Sequence, residues 1–192
     1  MTQGVEIFNI IDELGLLLQK KLIDINPTRT NSRWIFPTFP DSEDNFPEIV
    51  IELENIKYNA VSAGNYFKDF RDGELYKLYY YKEATADLIF YVLTSKTFSC
   101  NVIVGKEKRF LSNKLPNIYL SSSIKDLLHI ERGLFTEFLE DIQLTGITSV
   151  YEDNTTTWTS EVQCKIRFKD VWVKELLDGQ LIKHYNLYTY TN

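Results

Sequence analysis

The segment Trp158–Phe168 sets the tightest constraint on the fold. Trp158, Val162, Cys164, Ile166 and Phe168 alternate with Glu161, Gln163, Lys165 and Arg167. Successive side chains of a strand point to opposite faces, so this pattern predicts a half-buried strand, dry on one side and wet on the other. A strand of this kind needs a sheet to sit in and a layer to cover its apolar side. Val171-Trp172-Val173 reads as its continuation.

A second segment predicts the middle of that sheet. In Ala86–Thr94, Leu88, Phe90 and Val92 face one way, and Ile89, Tyr91 and Leu93 face the other. A strand apolar on both faces is central. Ile49–Leu53 and Leu75–Lys82 read as further strands, and Phe98–Val104 as another with its turn at Gly105-Lys106. The turn Glu152-Asp153-Asn154 precedes the long alternating run. Asp178-Gly179 signals a turn before a last strand over Leu181–Tyr190.

Two helical stripes supply the covering layer. Ile7, Ile11, Leu14, Leu18, Leu22 and Ile25 recur at spacings of three and four, which predicts a helix over residues 5–25 stopped by Pro27. Ile124, Leu128, Phe135, Phe138 and Ile142 predict a second helix over residues 122–142. Ser122 or Ser123 would cap it, and Thr145-Gly146 would end it. Pro116 reads as a break in any long element. Between the first helix and the first strand, residues 26–48 read as a proline-pinned loop with an acidic stretch, Asp41–Asp44. Residues 55–73 read as a long excursion between strands.

The order helix, strands, helix, strands predicts an α+β fold: a mostly antiparallel β-sheet flanked by two main helices, with a long loop or hairpin excursion. The 192 residues predict a single domain over 1–192.

Charge and motifs narrow the function classes. Lys plus Arg total 21 and Asp plus Glu 27, a net charge of −6, which argues against a protein built to grip nucleic acid. No glycine-rich phosphate loop and no nucleophile elbow are present. His129 and His184 lie far apart, and neither has a histidine or cysteine at ligand spacing, so no metal and no cofactor are expected. Cys164 reads as a small core hydrophobe. The basic runs Lys106, Lys108, Arg109 and Arg29, Arg33 read first as solvated surface. No stretch approaches the ~20 apolar residues of a membrane-spanning helix. No secretory leader is legible, which predicts a chain made in the cytoplasm.

Aromatic residues make up 14% of the chain, more than a domain of this size readily buries. Surplus tyrosine suits protein interfaces. Tyr58, Tyr66, Phe67 and Phe70 in the excursion, with Tyr185, Tyr188 and Tyr190 near the C-terminus, are therefore the candidate subunit or partner interface.

The element order carries a resemblance. A helix leads into Phe36-Pro37-Thr38-Phe39-Pro40 and on to Pro47, directly before the strand Ile49–Leu53. Later, a helix runs into Leu144-Thr145-Gly146-Ile147 and a closing strand pair. This resembles the tail terminator and tail completion proteins of long-tailed bacterial and archaeal viruses, over most of the chain in element order. The resemblance implies a non-enzymatic virion protein that assembles with itself into a ring, commonly a hexamer. Such a ring stops tail-tube growth and binds the tail tube protein and the neck or connector proteins. DNA passes its lumen without specific binding. Residues at about 96–120 depart from that family's compact pattern and read as an insertion in it. Two other readings fit the residues: a neck or tail adaptor binding partners through aromatic loops, and a small enzyme with its site assembled from scattered residues.

Overall fold

The computed structural model describes residues 5–29, 33–39, 46–58, 65–72, 75–130, 135, 139–153 and 156–177. Two helices and nine strands are described: α1 (Val5–Lys21), β1 (Ile35–Phe36), β2 (Glu48–Tyr58), β3 (Asn65–Asp72), β4 (Leu75–Ser95), β5 (Ser99–Val104), β6 (Glu107–Ser112), α2 (Leu115–Ile130), β7 (Asp141–Ile147), β8 (Tyr151–Glu152) and β9 (Thr157–Leu177). The chain is an α+β protein. Its main sheet runs β1-β2-β4-β9-β7, with β3 beside β4 and β8 beside β9. Every pairing is antiparallel except the short β1–β2 bridge. β5 and β6 form a separate two-stranded sheet.

The alternation of β9 is realised as expected. Val162, Cys164, Ile166 and Phe168 are buried, while Lys165 and Arg167 are exposed. Register places Leu88 beside Cys164, Phe90 beside Val162 and Ile51 beside Phe90. These residues form one apolar face, and Leu14 and Leu18 of α1 with Leu120 and Ile124 of α2 pack on that same face. Both helices therefore lie on one side of the sheet. β4 is central, as its two apolar faces predict. The two segments read apart, Leu75–Lys82 and Ala86–Thr94, are one strand of 21 residues. It pairs with β9 along its whole length.

Several boundaries differ from the sequence reading. α1 ends at Lys21, not at Pro27. Beyond it, Asp24 Oδ1 accepts from the Asn26 N–H at 2.9 Å, and Asn26 Oδ1 accepts from the Thr28 N–H at 3.0 Å. Short polar side chains bonding locally to backbone compete with helix continuation. The second helix does not span 122–142. It starts at Leu115, with Pro116 in its first turn, where the missing N–H costs no helical bond. Residues 141–147 are strand β7 rather than helix, since the free edge of β9 takes up their backbone groups. Gly146 is not a helix cap. It follows the register shift between Leu144 and Gly146. The excursion 55–73 contains structure: β2 runs on to Tyr58 past a bulge at Asn55 (φ 50°), and β3 forms a hairpin with β4. The acidic stretch Asp41–Asp44 and the last strand expected over Leu181–Tyr190 lie outside the described residues.

A polar clamp seats α2. Asn117, fully buried, donates from Nδ2 to the Val92 carbonyl (2.7 Å) and the Trp158 carbonyl (3.0 Å). Its Oδ1 accepts from Ser160 Oγ at 2.5 Å, and Ser121 Oγ lies 2.6 Å from Ser160 Oγ. One side chain thus ties the first turns of α2 to both long strands. Among the described residues, no helix is long and apolar enough to cross a membrane.

Candidate functional site

With both helices on one side, the other side of the sheet carries a small apolar cluster and a row of acids. Register brings Val50, Tyr91 and Glu161 into one row, and Glu52, Ile89 and Gln163 into the next. Glu54, Asp87 and Lys165 form the third row. At one end, Phe46, Val50 and Leu93 make a small second core, and the Phe39 ring packs on Tyr91 at 5.1 Å. Beyond that end the face is acidic, with Glu52, Tyr91 and Glu161 half-buried, Ile89 buried and Glu54 exposed.

Tyr91 is the centre of this patch. Burial, and then the charges of Glu54, Glu52 and Glu161, raise its pKa above the ordinary tyrosine value. Three carboxylates around one phenol oppose its ionisation. Glu52 is raised in turn, by burial first and by Glu54 second. Tyr151 on β8 donates its hydroxyl to Glu161 Oε1 at 3.0 Å. Burial, that bond and the surrounding acids push Tyr151 up to about 12. Gln163 donates to the other oxygen of Glu161 at 2.7 Å. Glu161 thus has two neutral donors. Lys165 lies opposite Asp87 in the register and offsets that acid. Among the described residues, Glu52, Glu54 and Glu161 have no cation directly opposite them in the register, and they stand with Phe39, Tyr91 and Tyr151.

On the helix side, the β5–β6 hairpin docks through Cys100, Val102 and Leu111, which join the main core. Its turn carries Gly105 in the left-handed region (φ 66°). The rest of it is exposed, including Ile103 (72%), Phe110 (62%), Lys106, Lys108 and Arg109. A groove of about 410 Å³ runs between the segment after α1 and β5, lined by Ile23, Ile25, Pro27, Val102, Ile103 and Tyr119.

The expected interface residues fall into three groups. Tyr58 ends β2, half-exposed, and donates to Asp170 Oδ2 at 2.8 Å; burial and that carboxylate push it up to about 12. Lys82 Nζ lies 5.8 Å from its ring centroid. Tyr66, Phe67 and Phe70 lie on β3, opposite the 76–81 stretch of β4, with a register shift between Tyr66 and Lys68. Tyr185, Tyr188 and Tyr190 lie outside the described residues. The alternation of Glu52 with Glu54, and of Glu161 with Gln163, was the available signal for the acidic face. Sequence alone did not show that β2, β4 and β9 bring these residues around Tyr91.

The other candidates are structural or separate. Arg29 pairs with Asp24 (2.5 Å), donates to the Pro47 carbonyl and stacks over Trp34 at 5.8 Å. Arg33 pairs with Asp12 at 2.6 Å and donates to the Ile35 carbonyl. His129 is exposed in the last turn of α2, and His184 lies outside the described residues. Burial raises both thiols, Cys164 to about 12. Among the described residues, no group of three or more His, Cys, Asp or Glu could hold a metal ion.

These features define a class: an α+β protein with a one-sided helix layer, an acidic patch on the opposite sheet face and a basic hairpin on the helix side. In comparison with known proteins, no family model and no curated protein matches the chain.

Proposed function

We propose that the chain is a structural virion subunit that assembles into a ring, ends the tail tube of a long-tailed virus and joins it to the neck. The observation that carries this reading is the length of β4 and β9. The helix-packed core reaches Ala84 and Phe168, yet both strands continue to Leu75 and Leu177, flanked by β3. That continuation is roughly nine residues, about 30 Å at strand rise. A three-stranded ribbon of that reach suits contact with neighbouring subunits or a tube end. Its sequence includes Tyr66, Phe67, Phe70 and Tyr79–Tyr81, the residue types of protein interfaces. The partners on this reading are further copies of the chain, the tail tube protein and the neck proteins. The net charge of −6 suits passage of DNA rather than its capture.

The test is native mass spectrometry across a concentration series, followed by imaging with purified tail tubes. A closed oligomer, six subunits on this reading, seated at tube ends is the expected result. A chain that neither closes into a ring nor caps a tube overturns the proposal, and specific capture of a neck protein by a monomer would favour the adaptor reading instead.

A further inference from the structure

We infer that the β5–β6 hairpin of one copy docks on the acidic sheet face of the next, through Lys106, Lys108 and Arg109 against Glu52, Glu54 and Glu161. This deepens the ring reading and rests on it, because it names the contact between subunits. The two surfaces match in charge and in apolar content. The hairpin carries three cations against one acid, Glu107, which pairs with Arg109 at 3.2 Å in an exposed position. The face carries three acids with no cation opposite them in the register. Between its charges the hairpin offers Ile103 and Phe110, both mostly exposed. The face offers Tyr91, with Phe39 packed on it and Tyr151 bonded to Glu161 beside it. An aromatic ring among carboxylates suits cations that carry apolar stems.

The position of the two surfaces decides the symmetry. The hairpin belongs to the helix-side layer, and the acidic face is the other side of the sheet. One copy therefore cannot satisfy its own pair, and a twofold dimer would have to seat both contacts at once, which patches on opposite sides of the sheet do not allow. The contact is then heterologous and propagates head to tail, closing into a ring when the rotation permits. Opposite-charge surfaces also steer encounter and weaken with salt.

The test uses two charge-reversed full-length chains. One carries Lys106→Glu, Lys108→Glu and Arg109→Glu; the other carries Glu52→Lys, Glu54→Lys and Glu161→Lys. Far-UV circular dichroism and the melting midpoint check that each still folds. Sedimentation velocity at low and high salt reads self-association. The wild type should associate, and less so at high salt. Each reversed chain alone should associate at least about tenfold more weakly. Mixed one to one, the two reversed chains should regain association, because each acidic hairpin then meets a basic face and each basic hairpin an acidic face. An assembling wild type whose reversed chains assemble equally well overturns this contact and leaves the ring reading standing. A wild type that never self-associates overturns the contact too, and the ring reading then rests on tube capping alone. A reversed pair that stays apart when mixed also overturns it.

Discussion

Replacing Asn117 with alanine should show how α2 is held to the sheet. The side chain is fully buried and makes three bonds: two to the carbonyls of Val92 and Trp158, one from Ser160. A buried hydrogen bond contributes about 1 kcal/mol net, and a group left unsatisfied costs about 1–3 kcal/mol. Ser160 keeps its contact with Ser121, so the loss on its side is partial. The sum for Asn117→Ala is about 2–4 kcal/mol. For a domain of this size that lowers the melting midpoint by about 4–16 °C. Urea unfolding followed by circular dichroism reads it directly: the transition midpoint should fall with an unchanged slope. Asn117→Asp should do worse at neutral pH, because a carboxylate cannot donate and would face two carbonyl oxygens in a dry site. Ser160→Ala should couple to Asn117→Ala by about 1 kcal/mol in a double-mutant cycle. A loss under about 0.5 kcal/mol, or strict additivity with Ser160→Ala, would refute the clamp.

Gly15 sits inside α1, where an added Cβ would meet Ile35 and Ile51 at 3.8 Å, an ordinary contact. Gly15→Ala should therefore raise stability by about 0.5–1 kcal/mol, read as a higher urea midpoint; a lower midpoint refutes it. Glu48 is 1% exposed, its Oε2 has no partner among the described residues, and burial raises its pKa against the opposing pull of Arg29. A raised carboxyl favours folding below its ordinary pKa and loses that contribution as pH rises through the folded value. Glu48→Gln should thus melt above the wild type at pH 7, with the gap closing towards pH 4, and an equal gap at both values would sink the argument. Cys164, raised to about 12, should label with a thiol reagent at pH 8 far more slowly in the native protein than in urea; equal rates would contradict its burial.

How much was legible follows from how local each signal is. The alternation around Val162–Phe168 and the stripe through Leu14 and Leu18 are strong local patterns, and both elements stand where they were read. The turn at Gly105-Lys106 was readable too, since only a few residue types turn there, but its second strand, β6, was not. The stretch after Ile130 was not. Ile142 fits the helical stripe of residues 122–142 as well as it fits the pairing of β7 on β9, and only the presence of an unpaired edge separates the two. Pro116 likewise reads as a breaker until the first turn of α2 is seen to need no N–H from it.

The candidate surfaces divide in the same way. Local patterning is enough to establish that β9 has a wet side, that β4 lies inside the sheet, and that two apolar stripes must cover something. It also determined the basic character of Lys106–Arg109. That both helices take the same face is visible only in the fold, because burial is settled by what packs against a residue and not by its neighbours in the chain. That arrangement keeps both helices off the acidic face. Strand register then carried Glu52, Glu54 and Glu161 from distant segments to one tyrosine, a juxtaposition that no local period encodes.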